Sequence, residues 1–304
     1  MSSALSGVKI TVLGGDNRDL ILIAELVTLG ATVTVVGFPR DKIKQGAFIS
    51  RSIDEALRGT EVAILPMPGI DENGYIRAVY TEEKLQLTEK SLMGMAEKGL
   101  VFIGTGRTFL KEWTNKLGIK LLEIAEMDEI AILNSIPTAE GAIQIAMEEL
   151  DTTIHGSKVI VLGLGRTGTT LARMLRSLGA DVTVISASAV ELARAYEIGC
   201  RRVPLDALGD SLDSIEVIFN TIPALVLGNE VLRRMSQETL IIDMASAPGG
   251  TDFEAANYYG IKAILAPGLP GKVAPRTAGK VLAEVIPRLI IEEMINAGHK
   301  LLLA

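Results

Sequence analysis

Three glycines in one short run are the clearest chemical signature in the chain. In Lys158-Val159-Ile160-Val161-Leu162-Gly163-Leu164-Gly165-Arg166-Thr167-Gly168, an apolar run ends in G-x-G-x-x-G and opens into the helical stretch 169–178. A strand, a glycine turn and a helix at this spacing form a pyrophosphate cradle: Gly163 permits the tight turn, Gly165 lets the backbone approach the phosphates, and Gly168 lets the helix pack close to the strand. The N–H groups at the helix N-terminus favour the phosphate charge, and Leu164, Arg166 and Thr167 complete the loop as cofactor contacts. The type of dinucleotide turns on the end of the next strand, where a carboxylate would receive the ribose 2′-hydroxyl of NAD. Ser186-Ala187-Ser188 stands there, with no carboxylate before Glu191. A hydroxyl pair tolerates a 2′-phosphate and donates hydrogen bonds to it, whereas a carboxylate repels it. The expected cofactor is therefore NADP, with NAD as the alternative and Arg166 or Arg194 as the source of positive charge. Asn220, Thr221, Ile222 and Pro223 follow a further strand and are expected cofactor contacts.

Other reactive residues are few. The two histidines are His155, upstream of the strand 158–162 and at the wrong end of it for the glycine loop, and His299 near the C-terminus. His155 reads as a structural or linker residue. Cys200 is the single thiol; neighbouring Arg201 and Arg202 could lower its pKa, but a lone cysteine at a strand start reads as structural. No cluster of metal-ligand spacing, no G-x-S-x-G elbow and no lysine-ended phosphate loop is present. A second glycine turn, Leu13-Gly14-Gly15-Asp16-Asn17-Arg18-Asp19, lacks the third glycine, and Asp16 would repel a pyrophosphate. This loop is expected to face substrate, or to be a turn capped by Asp16 or Asn17.

The elements that must hold these residues repeat. Apolar runs at 8–13, 32–37, 62–65, 101–104 and 119–123 read as strands, alternating with helical patterns such as 19–29 and 82–98. A second series follows at 158–162, 181–186, 216–220, 240–243 and 263–265. Leu29-Gly30-Ala31-Thr32-Val33-Thr34-Val35-Val36 recurs as Leu178-Gly179-Ala180-Asp181-Val182-Thr183-Val184-Ile185. The expected fold is α/β with two doubly wound parallel-sheet domains: a flavodoxin- or Rossmann-like N-terminal domain and a Rossmann-type NAD(P)-binding domain. The expected divisions are 1–130, completed by a C-terminal helix 277–297 kinked at Pro287; a linking helix in 131–150 starting near Pro137; and 151–276. Two such helical crossings would make a hinge beside an interdomain cleft.

Composition agrees with a globular protein. The 304 residues are 48% hydrophobic and 22% charged, which excludes a disordered chain, and the net charge of −7 argues against a nucleic-acid binder. The N-terminus lacks the charged and apolar segments of a signal peptide, and no apolar run approaches the ~18 residues of a membrane span. The expected location is the cytoplasm, with no membrane or nucleic-acid partner. A homodimer is the default assembly for an enzyme of this size.

Several motifs together resemble the A subunit of dipicolinate synthase. They are Gly14-Gly15-Asp16, Asn134-Ser135-Ile136-Pro137-Thr138-Ala139-Glu140-Gly141, His155-Gly156-Ser157, the glycine loop, Asn220-Thr221-Ile222-Pro223, Pro248-Gly249-Gly250-Thr251-Asp252-Phe253 and the run from Ala266 to Gly279. More distantly, the two-domain arrangement is similar to that of 2-hydroxyacid dehydrogenases of the formate/glycerate type, alanine dehydrogenases and adenosylhomocysteinase.

The resemblance implies oxidation of dihydrodipicolinate to dipicolinate with NADP as hydride acceptor, in a spore-forming branch off lysine biosynthesis. It also implies a flavoprotein-like partner, the B subunit of the synthase, and action in the mother cell where the organism sporulates. A small dicarboxylate substrate calls for cations and hydroxyl donors. Arg18, Arg107, Ser135, Thr138 and Arg276 are the candidates. Lys272, in a glycine- and proline-rich loop beside Arg276, is the expected proton-handling group, with a pKa that falls if the loop desolvates it. Asp243, at a strand end, is expected to hold the nicotinamide amide or orient a water, or else to cap the following turn.

Overall fold

The structure, a computed structural model, describes residues 4–43 and 45–298; His299 lies outside them. The described residues form two compact units: those up to Ala131 together with those from Ala274 onward, and Ile132–Val273.

The first unit holds β1 (Lys9–Leu13), β2 (Thr32–Val36), β3 (Phe48–Ile49), β4 (Val62–Ile64), an antiparallel pair β5 (Tyr75–Ile76) and β6 (Leu85–Gln86), β7 (Leu100–Ile103) and β8 (Lys120–Glu123). Six of these strands make one parallel sheet in the order β3-β2-β1-β4-β7-β8. Its helices are α1 (Asn17–Thr28), α2 (Ile53–Ala56), α3 (Glu89–Leu92), α4 (Thr108–Lys116) and the start of α5 (Asp128–Glu149), which crosses the division between units.

The second unit holds the rest of α5, then β9 (Lys158–Leu162), α6 (Arg166–Ser177), β10 (Asp181–Ser186), α7 (Ala189–Glu197), β11 (Arg201–Pro204), β12 (Val217–Asn220), α8 (Asn229–Leu232), β13 (Leu240–Asp243), α9 (Phe253–Tyr258), β14 (Ala263–Leu265) and α10 (Leu269–Val273). Its parallel sheet runs β11-β10-β9-β12-β13-β14. Helix α11 (Pro275–Asn296) returns to the first unit and packs along α1, so closely that a Cβ on Gly279 would stand 3.0 Å from the Cα of Arg18.

Both sheets therefore have the same Rossmann order, reversing direction between their first and fourth strands. The apolar runs are continuous because both sheet faces are covered. In β9, Val159 and Val161 enter one core and Ile160 and Leu162 the other. Each fully buried Val, Leu or Ile contributes about 1.5–3 kcal/mol.

Two expected helices differ. The stretch 82–98 is not one helix. Leu85 and Leu87 alternate around exposed Gln86 as a strand, and Thr88 then caps the single turn of α3 by accepting from Ser91 N–H at 3.1 Å. Helix α5 starts at Asp128, not near Pro137, which lies buried inside it. The proline removes one backbone donor, and neighbouring hydroxyls bond to the helix instead, Ser135 Oγ donating to Ile132 O at 2.6 Å and Thr138 Oγ1 to Asn134 O at 2.7 Å. Strands β3, β5, β6 and β11 had no counterpart in the apolar pattern.

Candidate functional site

The glycine loop sits at the C-terminal end of β9, beside the point where the second sheet reverses. Its three glycines do three different things. Gly163 has φ +81°, a conformation that disfavours any side chain. A Cβ on Gly168 would stand 2.2 Å from Gly163 O, so here the helix lies directly on the turn. A Cβ on Gly165 would meet nothing within 4 Å, with φ −69°, so this glycine borders open space. Gly165 is also the N-cap of α6, and no side chain caps that helix end. The first-turn N–H groups of Arg166, Thr167 and Gly168 thus face a space that an anion fits. That chemistry suits a pyrophosphate.

The equivalent loop of the first unit is closed by its own side chains. Asp16 caps α1 by accepting from Arg18 N–H at 3.0 Å, and Asp19 Oδ2 accepts from Asp16 N–H at 2.8 Å. A strand-like segment covers it: Gly15 N–H donates to Arg77 O at 2.8 Å, and Val79 N–H to Gly15 O at 3.0 Å. Two carboxylates at a helix N-terminus leave no place for a phosphate. Burial pushes Asp19 up to about 6, with the Asp16 charge adding to it against the Asp16 N–H bond. For Asp16, burial raises the carboxyl, but the hydrogen bonds and charge of Arg18 outweigh it and leave it lowered.

The remaining expected site residues divide into exposed and committed groups. Arg18 is buried and forks onto Asp16, Nε to Oδ1 at 2.9 Å and a terminal nitrogen to Oδ2 at 2.8 Å, so its charge is spent inside the first unit. Ser135 is buried and bonded to Ile132 O and to Thr170 Oγ1, at 2.6 Å each, and Thr138 bonds to Asn134 O. Ser135 thus ties α5 to α6, and half-buried Thr138 bonds within α5. Arg107 is exposed at the N-cap of α4, its Nε donating to Ile70 O at 3.2 Å. Arg276 is exposed in the first turn of α11. Lys272 is exposed on α10, a helix where a loop was expected, and is not enclosed as a desolvated loop lysine would be.

Of the two roles expected of Asp243, its contacts are those of the second, capping the following turn. It is fully buried, and four donors converge on its carboxylate: Asn220 Nδ2 at 3.1 Å and Ala245 N–H at 3.0 Å on Oδ1, Gly250 N–H at 3.0 Å and Thr251 Oγ1 at 2.7 Å on Oδ2. A saturated, buried carboxylate organises the 244–251 turn and has no free lone pair aimed at a substrate. Asn220 is equally enclosed, bonded to Asp243 and to the backbone of Ile222. Thr221 Oγ1 donates to Leu162 O at 2.8 Å, and Ile222 and Thr221 wall the back of Gly163. Pro223 is exposed beyond them. His155 lies against Gly179, its Nδ1 3.2 Å from Leu178 O. Burial pushes the Cys200 thiol up and outweighs the nearby positive charge, which comes from Arg176.

The hydroxyl pair is not free either. Ser186 Oγ donates to Glu191 Oε2 at 2.5 Å and accepts from Ser188 N–H at 3.0 Å, while Ser188 Oγ caps α7 by accepting from Glu191 N–H. Glu191 Oε2 also accepts from Leu164 N–H at 2.8 Å. A carboxylate thus stands between the end of β10 and the glycine loop, where the spacing suggested none. The signal was present: Ser-x-x-Glu at a helix start places Glu191 on the third residue of the first turn, next to the strand end. Arg194 pairs with Glu197 at 2.9 Å and is exposed.

Comparison with known proteins agrees with this architecture. Residues 9–125 match the family described as the N-terminal domain of the dipicolinate synthase A subunit, and residues 137–249 match the NAD binding domain of D-isomer specific 2-hydroxyacid dehydrogenases. The A subunit of Bacillus subtilis dipicolinate synthase is 42% identical over 97% of this chain and 99% of its own. The chain belongs to the family of dipicolinate synthase A subunits. The crystal structure of the Bacillus subtilis protein matches with a TM-score of 0.90, and that of its Bacillus halodurans counterpart with 0.91 at 40% identity, covering 94% of this chain and 98% of that one. An L-alanine dehydrogenase, 16% identical with a TM-score of 0.61 over 94% of this chain and 90% of that one, shares the fold. Within the family fold, the second unit carries the dinucleotide-binding domain. Among the described residues no helix is long and apolar enough to cross a membrane, and no group of three or more His, Cys, Asp or Glu is placed to hold a metal ion.

Proposed function

We propose that this chain is the hydride-transferring subunit of a dipicolinate synthase, oxidising dihydrodipicolinate to dipicolinate with a nicotinamide dinucleotide as acceptor. The observation that carries this reading is the uncapped N-terminus of α6 behind Gly165, in a chain 42% identical to a known dipicolinate synthase component. One hydride and one proton leave the dihydropyridine ring, and the gain of aromaticity supplies much of the driving force. A bound nicotinamide supplies the hydride acceptor. The protein's share is alignment of the ring, binding of two carboxylates and removal of the proton.

For the carboxylates we assign Arg107 and Arg276, both exposed. Water is the final proton acceptor, with exposed Lys272 as the relay to it. Arg18, Ser135, Thr138 and Asp243 serve the scaffold, because their polar atoms are already committed. For the dinucleotide we propose NADP, from the uncharged Ser186 and Ser188 at the end of β10, with NAD as the alternative. The subunit designation of the relatives supports a second chain, for which we propose a flavoprotein-like B subunit, together with a homodimer of this chain. The proposed setting is the cytoplasm, in the mother cell of a spore former.

The test generates dihydrodipicolinate in situ with NAD or NADP, with and without the flavoprotein-like partner, and follows reduced nicotinamide and dipicolinate together. Equal, enzyme-dependent amounts of both are expected. Dinucleotide binding without turnover, even with the partner present, would instead make this chain a non-catalytic binding component. Turnover of a small keto or hydroxy acid alone would make it a different dehydrogenase.

A further inference from the structure

One face of the first sheet is left open near its edge. A parallel sheet is ordinarily covered by helices on both faces, but here the chain passes from β3 to β4 through the single turn of α2. A cavity of about 530 Å³ remains beside β1, β2 and β3, within the ~300–1,000 Å³ of small-ligand sites. Its floor is polar where a covered sheet is aliphatic: exposed Thr32 and half-buried Thr34 line it, with exposed Phe48 paired to Thr34 at the edge. Lys9, Arg51 and Arg58 also line it, and none of the three has an ion-pair partner among the described residues. The carboxylate on the wall is Glu55, whose Oε2 accepts from Ser50 Oγ at 3.3 Å. Glu61 is not on the wall, its Oε2 accepting from the Lys9 N–H at 2.9 Å. Three cations against one carboxylate leave two positive charges in excess.

The corresponding cavity of the second unit is neutralised. Lys158, Thr183 and Arg201 hold the sheet positions of Lys9, Thr34 and Phe48. Arg201 pairs with Asp181, Arg202 lies over the Tyr196 ring at 5.0 Å, and Asp210 and Asp213 stand on the wall. In the first unit Thr32 takes the place of Asp181, and the wall carries Arg51 and Arg58. The excess charge therefore belongs to this unit and is not imposed by the shared sheet order.

We propose that this cavity is a second, non-catalytic binding site for a small planar dicarboxylate, of the class of the product assigned above. Guanidinium groups fork onto carboxylates, and two negative charges match the excess of two positive ones. The Phe48 ring offers an apolar face to a flat aromatic ring, and the threonine hydroxyls of the floor supply neutral donors. The cavity lies towards the N-terminal ends of the strands. Lys9 stands five residues before Gly14, about 16 Å along β1, whereas Arg107 follows the C-terminal end of β7 in the same parallel sheet. The site is thus separate from the arginine assigned to the substrate. The choice of this dicarboxylate rests on the reaction proposed above; the uncompensated charge of the cavity does not.

The test is isothermal titration of dipicolinate into the full-length protein, as wild type and as Arg51→Gln, Arg58→Gln and the double variant, with melting temperature and turnover measured alongside. Two binding events are expected, one at the substrate site and one in this cavity. Loss of a charge-assisted hydrogen bond should weaken the cavity event about 10- to 100-fold in each single variant. The double variant should lose it altogether while melting temperature and kcat/KM stay unchanged, since both arginines are exposed. Benzoate, with one carboxylate, and inorganic phosphate, with no ring, should each bind there at least tenfold more weakly than dipicolinate. A single dipicolinate event that the double variant leaves unchanged overturns the second site and leaves the dehydrogenase reading intact. A single event that the double variant abolishes supports this site and counts against the substrate site of the proposed reaction. Phosphate that binds as tightly as dipicolinate, and is lost in the same variants, overturns the dicarboxylate assignment. Absence of any dipicolinate binding overturns both sites.

Discussion

Gly165→Ala and Gly168→Ala separate a glycine kept for a ligand from one kept for the fold. At Gly165 the backbone has φ −69°, which alanine adopts freely, and a Cβ meets nothing within 4 Å. Alanine is a poorer N-cap, so the folded state should lose about 1 kcal/mol or less. The methyl nevertheless stands where a phosphate would approach the N–H groups of the first turn. Losing one such charge-assisted hydrogen bond costs about 1.5–3 kcal/mol, a rise of about 10- to 100-fold in Kd. At Gly168 the Cβ would lie 2.2 Å from Gly163 O, a backbone atom that moves only with its turn. Overpacking of this kind costs about 1–3 kcal/mol, or a melting temperature lower by about 3–10 °C for a unit of this size. The assay pairs a dinucleotide titration with thermal melting. Gly165→Ala should melt within about 3 °C of the parent and bind poorly, and Gly168→Ala should melt earlier while any loss of binding follows its loss of stability. Binding by Gly165→Ala within threefold of the parent would refute the claim that the pyrophosphate lies over this residue.

Asp243→Asn replaces two acceptor oxygens by one and turns an N–H₂ towards Gly250 N–H and Thr251 Oγ1 or towards Asn220 Nδ2 and Ala245 N–H, so unfolding in urea should show a loss of about 2–4 kcal/mol. Asp19, raised to about 6, holds its proton more tightly folded than unfolded; its contribution to stability is therefore full below about pH 4 and is lost as the pH rises through 6. A pKa raised by about two corresponds to about 3 kcal/mol, and Asp19→Asn should flatten the stability profile over that window in pH-dependent urea titrations. Asp16, lowered by Arg18, acts in the opposite sense, with stability lost only as the pH falls below the usual carboxylate range. Cys200, buried and raised, should react with a neutral-pH disulfide reagent far more slowly in the native protein than in urea.

Most of the sheet was legible because both faces of each strand are covered, which writes the inner strands as unbroken apolar runs. Strands outside that pattern were silent. β3, β5 and β6 have two residues each, and β11 carries Arg201 and Arg202 with Pro204 on the sheet edge, where charges and proline are tolerated. The glycine loop could be read because its spacing is set by local backbone demands. The polar residues could not, because their partners come from elsewhere in the fold. Arg18 has the type of a substrate clamp, yet Asp16, two residues before it, captures the guanidinium. Asp243 has the type and place of a catalytic acid, yet the chain turns back at 244–251 and places two more donors on it. Glu191 lies five residues past the strand end, and only the helix start at Ser188 brings its carboxylate back against Ser186 and the glycine loop.

The two units show how one sheet order serves two purposes through its first loop. Each places a glycine turn and a helix N-terminus at the reversal of the sheet, a ready anion site by backbone geometry alone. In the first unit that site is occupied from within: Asp16 and Asp19 supply the negative charge, and the segment around Arg77 and Val79 pairs with Gly15. Arg18 then pairs with Asp16 and neutralises that one of the two carboxylates. In the second unit the positions equivalent to Asp16 and Asp19 are Gly165 and Gly168, which have neither charge nor side chain, and the helix end stays uncapped. Two glycines in place of two carboxylates, and no segment paired over the turn as Arg77 and Val79 are over Gly15, distinguish the open phosphate cradle from the self-capped turn. The asymmetry assigns dinucleotide binding to the second unit before any ligand is considered.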